Sequence, residues 1–129
     1  MKKQIDAVTK FHEVYRIPFE QNPSKDVSNS FVELRHRLMS EENEEYLEAA
    51  KNGDLIEIAD ALGDMLYILC GTIITHGMQN KIVQVFDEIQ RSNMSKLGKD
   101  GEPIYRKDGK VMKGPNYFRP DIKSILEAV

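Results

Sequence analysis

Apolar residues recur at helical spacing over four stretches of the chain, each bounded by residues that start or stop helices. Ile5, Val8, Phe11, His12 and Tyr15 predict a first helix over 2–15. Pro18 and the segment FEQNPSKDVSNS interrupt the pattern, and Ser28 or Ser30 can cap a second helix over 31–51 that stops at Asn52-Gly53. Asp54 caps a third helix over 55–76, ended by Gly77. A fourth runs over 81–96, with Ile82, Val85, Phe86 and Ile89 on one face and Gly98 at its end. The segment that follows is rich in Gly, Pro and Lys. There Asp108-Gly109, between IYRK and KVMK, predicts a hairpin whose two short strands need the helices to rest on. The expected fold is all-α: a four- to five-helix bundle with a short C-terminal β-hairpin flap. One domain, 1–129, would divide into a helical body (1–97), a basic hairpin flap (98–121) and a short terminal helix (122–129).

Composition narrows this only modestly. A chain of 129 residues that is 40% hydrophobic and 30% charged suits one globular domain with its own core. Cys70 is the single cysteine, which excludes an internal disulfide framework and a Cys-rich zinc site. The longest apolar run, 65–74, is about half of the ~20 residues that a membrane helix needs. The opening MKKQIDAVTKF has no apolar secretory core. These features lead us to expect a soluble, cytoplasmic protein without a membrane partner.

Charge changes the picture more. The net charge of −3 conceals nine basic against sixteen acidic residues in 1–90, and nine against five in 91–129. An acidic body with a basic tail suits a cation followed by an anion, as a metal–phosphate substrate requires. The plainer readings are a solvated acidic helix surface and a tail with weak nucleic-acid affinity.

The placement of the acids favours the cation. Along the second helix the apolar positions Phe31, Leu34 and Leu38 continue by steps of three and four into Glu42, Glu45 and Ala49. Along the third, Leu62, Leu66, Leu69 and Ile73 form one stripe, and Glu57, Asp60 and Asp64 form another that continues into Ile68 and Gly71. An unpaired carboxylate on such a stripe costs several kcal/mol. No Lys or Arg lies between Lys51 and Lys81 to offset it. Two antiparallel helices joined by a short loop would bring 42/45 opposite 60/64 as an all-oxygen site suited to Mg²⁺, or to Mn²⁺. Glu44 and Glu48 read as solvated. Glu-x-x-His occurs once, at Glu33 and His36, whereas a di-iron bundle needs it on two helices, which argues against that reading. His36 and His76 lack a second His at ligand spacing, which argues against catalytic zinc.

Glu41-Glu42-Asn43-Glu44-Glu45 resembles the EExxE motif of the all-α nucleoside triphosphate pyrophosphohydrolases, the MazG-like and phosphoribosyl-ATP pyrophosphohydrolase-like superfamily. The acidic helix after the short loop, Asp64 followed by MLYIL, the tail RSNMSKLGKDGEPIYRKDGKVMKGPNY and the opening FHEVYRIPFEQNP extend the likeness over nearly the whole chain. The family's ExxD on the third helix has two readings here. Glu57 and Asp60 fit it literally, with Asp64 as an extra acid; if Asp64 is the aspartate, Ala61 holds the glutamate position and Asp60 substitutes.

The resemblance implies Mg²⁺-dependent hydrolysis of a nucleoside triphosphate, non-standard or deoxy, between the α and β phosphates, giving a monophosphate and pyrophosphate in a house-cleaning role. It implies Glu42, Glu45, Glu57, Asp60 and Asp64 as metal ligands, with Glu41 a second-metal ligand or proton acceptor. Homodimers or homotetramers are expected. In the basic tail Asn93 and Lys96, three apart near the end of the fourth helix, and Lys113, Asn116 and Tyr117 after the hairpin could clamp phosphates. Phe11, His12 and Tyr15 could pack near a base or simply in the core. Phosphoribosyl-ATP is the alternative substrate. Outside the enzyme reading stand a catalytically silent, metal-stabilised interaction module and a nucleic-acid-binding protein, neither of which needs carboxylates on core stripes.

Overall fold

The computed structural model describes residues 1–128. Its elements are α1 (Lys2–Val14), α2 (Asn29–Lys51), α3 (Leu55–Thr75), α4 (Ile82–Met94) and α5 (Ile122–Glu127). Contacts cluster into two compact units, residues 1–80 and residues from Lys81 onward.

In the first unit α3 packs against both α1 and α2. The predicted caps set the helix limits. Ser28 Oγ accepts from the Phe31 amide at 3.4 Å, and Asp54 Oδ1 accepts from the Glu57 amide at 3.2 Å. Gly53 and Gly77 follow α2 and α3 with φ of +65° and +66°. At Gly77 a side chain would also run into the Asn22 backbone, so the 17–28 segment lies directly against the end of α3. Two bonds hold it there: the Ser24 amide to the His76 carbonyl at 2.9 Å, and the Glu20 amide to the Ile74 carbonyl at 3.1 Å.

The buried apolar residues of this unit are Ile5 and Val8 from α1, Ala49 from α2, and Ala61, Cys70, Ile73 and Ile74 from α3. This corrects the reading of α3. Of its leucine stripe only Ile73 is buried, while Leu62, Leu66 and Leu69 are 50%, 42% and 46% exposed. By length and composition α3, with its 21 residues, is apolar enough to cross a membrane, which the ten-residue run 65–74 did not suggest. It also carries three acids and packs on α1 and α2, with 33% of its most apolar stretch buried.

In the second unit α4 contacts α5. The terminal helix predicted over 122–129 spans Ile122–Glu127, capped by Asp121; Val129 lies outside the described residues. The expected β-hairpin flap is not formed: among the described residues there are no strands, only one antiparallel bridge between Tyr105 and Val111. The turn sits where Asp108-Gly109 placed it, with Gly109 at φ +90° and the Arg106 amide donating to the Lys110 carbonyl at 2.7 Å. Pairing stops one step further out, at the bond from the Met112 amide to the Ile104 carbonyl. Pro103 lacks an amide to continue the ladder. On the other side Gly114 turns the chain against the Leu97 carbonyl, in a space no Cβ could occupy.

Helix α4 ends at Met94, two residues before its predicted limit, so Lys96 lies beyond the helix. Serine hydroxyls compete for the backbone there. Ser95 Oγ donates to the Ser92 carbonyl at 2.5 Å and accepts from the Phe118 amide at 3.2 Å, and Ser92 Oγ donates to the Phe118 carbonyl at 2.8 Å.

Candidate active site

The stripe of α2 that begins with Phe31, Leu34 and Leu38, all half-buried, ends in half-buried Glu42, exposed Glu45 and buried Ala49. Because α2 and α3 pack together through a three-residue connection, the C-terminal half of one lies beside the N-terminal half of the other. One carboxylate oxygen from each of Glu42, Glu45 and Asp64 falls within 4.8 Å of the other two. Next to them a cleft of about 280 Å³ is lined by Glu45, Glu48, Glu57 and Asp60, with Ala49 and Ala61 leaving its floor open. Asp64 thus groups with the α2 glutamates, while Glu57 and Asp60 line the cleft. Glu41 is exposed.

No ion pair among the described residues reaches any of these acids. Glu42 Oε2 is buried without a hydrogen-bond partner. Burial first, then the hydrogen bond and charge of Glu45 and the charges of Asp64 and Asp60, push the Glu42 carboxyl up to about 7. An orphaned carboxylate oxygen amid like charges fits a divalent cation, and a donor set of carboxylates alone suits a hard one.

This has a pH signature. Unfolded Glu42 ionises near 4.5, whereas in the folded chain it holds its proton until about 7. Without metal, stability is therefore expected to fall as pH rises between those values, because only the folded state must force a charge into the cluster. Thermal melting in EDTA should give a higher midpoint at pH 5.5 than at pH 7.5, and added Mg²⁺ should help more at the higher pH, where the proton no longer competes. A midpoint in EDTA that rises over this interval would contradict the reading.

The five tail residues belong to the second unit. Asn93 and Lys96 line a cavity of about 400 Å³ with Met94, Leu97, Pro103 and Val111. The Lys113 ammonium lies 4.8 Å from the centre of the Tyr117 ring. Asn116 stands between them in sequence, in the turn that the Tyr117 amide closes on the Gly114 carbonyl at 3.2 Å.

Sequence reasoning passed over two residues near this stripe. Glu48, exposed as its position predicts, also lines the acidic cleft. Arg35 is 7% exposed and reaches across to α3, where its Nε donates to Thr72 Oγ1 at 3.1 Å and its Nη2 to the Ile68 carbonyl at 2.8 Å. The signal was present: Arg35 stands four residues from Phe31 and three from Leu38, and Gly71 leaves room on the facing stripe.

No curated protein matches the sequence significantly. A family model described as phosphoribosyl-ATP pyrophosphohydrolase (PRA-PH) matches residues 8–93, a span that holds α2, α3 and every acid of the cluster. The chain belongs to that family, within the all-α nucleoside triphosphate pyrophosphohydrolase superfamily.

Proposed function

We propose that this protein hydrolyses a nucleoside triphosphate, deoxy or non-standard, between its α and β phosphates, releasing pyrophosphate with Mg²⁺ as cofactor. The grouping of Glu42, Glu45 and Asp64 around an unpartnered carboxylate oxygen carries the reading. The family supplies the reaction class, pyrophosphohydrolysis, and its members depend on metal. Glu42, Glu45 and Asp64 would hold the cation, with Asp60 and Glu57 extending the same cleft. A bound divalent cation offsets charge on phosphate oxygens and draws them into position. Mn²⁺ fits the same oxygens.

Glu41, adjacent to the ligand stripe and exposed, is assigned the proton of the attacking water. Glu41→Gln should then lower turnover by about 10²-fold or more with little change in KM. Unchanged turnover in steady-state assays would remove Glu41 from the chemistry. Asn93, Lys96, Lys113, Asn116 and Tyr117 are assigned to the phosphates; their substitution should raise KM more than it lowers kcat.

Leu62, Leu66 and Leu69 are the large apolar residues that a homodimer or homotetramer would cover. We place the protein in the cytoplasm, acting on free nucleotides without nucleic-acid or membrane partners, as one domain in the functional sense. The family match favours a second substrate, phosphoribosyl-ATP, whose pyrophosphate bond the same acids would serve. Chromatographic identification of products separates the outcomes. Monophosphate plus pyrophosphate supports the reading; diphosphate plus orthophosphate overturns it. Turnover of phosphoribosyl-ATP alone would select the second substrate.

A further inference from the structure

Apart from the acidic cleft, residues of α1, α2 and α3 line a second cavity of about 410 Å³. Leu38 and Ile68 line it, each one helical turn from the acids Glu42 and Asp64. From Glu42 back to Arg35 is seven residues, about 10 Å of helix, the reach of a nucleoside whose phosphates sit at the acids. Phe11 and Tyr67 stand edge to face on one wall, with ring centres 5.6 Å apart.

The charged residues of the lining are all basic. Arg35, 7% exposed, and His12, 2% exposed, both line the cavity, and so does Arg16; no Asp or Glu does. The Arg35 guanidinium has no carboxylate partner among the described residues. Its two hydrogen bonds, to Thr72 and Ile68, use two of the five N–H groups that a guanidinium carries. His12 Nδ1 is buried with no partner at all. Burial and the neighbouring Arg35 charge lower the His12 pKa against a hydrogen bond with the Pro18 backbone, and the neutral ring they favour carries one N–H and one acceptor nitrogen.

We propose that this cavity is a nucleobase pocket in which Arg35 and His12 determine specificity, selecting bases that present an oxo group, uracil-like or guanine-like, over bases with an amino group there. A carbonyl oxygen meets the unused donors, whereas an exocyclic amino group brings further hydrogens to a lining dominated by donors. The aromatic edge and the aliphatic wall give the ring an apolar seat and exclude water from the contact. The inference rests on the pyrophosphohydrolase reading for where the phosphates lie.

The test is calorimetric titration of the full chain with uridine, cytidine, guanosine and adenosine monophosphates in Mg²⁺, beside pyrophosphate release from the corresponding triphosphates. Uridine and guanosine monophosphates should bind at least about tenfold more tightly than their amino counterparts. Arg35→Lys and His12→Gln should each shrink that ratio. His12→Gln keeps the test open if Arg35→Lys melts at the assay temperature. Equal binding of oxo and amino bases, no binding of any, or a loss in the variants that is uniform across all four would overturn the proposal. Selective binding without pyrophosphate release would leave the pocket standing and sink the hydrolysis reading. Pyrophosphate release without base preference would do the reverse.

Discussion

Glu45→Gln is expected to abolish most pyrophosphate release while leaving the fold intact. Glu45 is exposed, contributes one of the three oxygens that converge within 4.8 Å, and lines the adjoining acidic cleft as well. Glutamine keeps its shape but removes the charge that a divalent cation needs. Loss of a preorganised charge contact to the reacting group costs on the order of 10²–10³-fold in turnover. Stability should move the other way in the absence of metal. Glu45 is a main cause of the raised Glu42 carboxyl, so neutralising it relieves repulsion inside the cluster. The variant should therefore melt no lower than the parent in EDTA and show a smaller gain on adding Mg²⁺. Paired activity and melting measurements check both halves. A Glu45→Gln protein with full turnover, or one that fails to fold, would show that the glutamate's role lies elsewhere.

Gly71→Ala is expected to destabilise the chain by about 1–3 kcal/mol, the usual cost of forcing atoms into a packed interior. On propensity alone the sign would be opposite, since alanine is favoured over glycine inside a helix by about 1 kcal/mol. Gly71 lies in the interior of α3, but a Cβ there would collide with Arg35 Nη2 and stand 3.1 Å from His12 Nε2. The guanidinium is held by α3's own carbonyl and hydroxyl groups and cannot withdraw without leaving donors unpaired in the interior. Chemical denaturation of the variant measures the difference. An alanine variant as stable as the parent would show that Arg35 moves freely, and would weaken its assignment to base recognition.

The helices were legible because their boundaries are written in side chains. Ser28, Asp54, Gly53 and Gly77 do locally what their types do elsewhere, and the limits of α2 and α3 follow within two residues. The end of α4 was not legible, because the serines that stop it act through Phe118, more than twenty residues away. The hairpin was half legible. Asp108-Gly109 marks a turn, but strand length depends on how Pro103 and Gly114 meet their surroundings.

At the site, steps of three and four along α2 and α3 were enough to bring Glu42 and Glu45 to Asp64. The same periodicity could not say which apolar stripe of α3 faces inward. Leu62, Leu66 and Leu69 look like core by composition, and the acid-bearing stripe does not, yet the latter leads into the buried contact with Arg35. A stripe pattern reports where apolar residues lie, not what covers them. The role of Arg35 was not legible for a related reason. A cation on an apolar stripe gains meaning only once Gly71 and the Ile68 carbonyl are seen opposite it.

The proposed function stands on the carboxylates of α2 and α3 forming a metal site that serves pyrophosphate release. The most direct test strips the protein with EDTA, adds Mg²⁺ back in steps, and follows pyrophosphate from a panel of nucleoside triphosphates and phosphoribosyl-ATP. Activity that vanishes with EDTA and returns in saturable fashion with Mg²⁺, with pyrophosphate as the product, is the predicted result. Pyrophosphate release indifferent to EDTA, or no release from any member of the panel at saturating Mg²⁺, would contradict it.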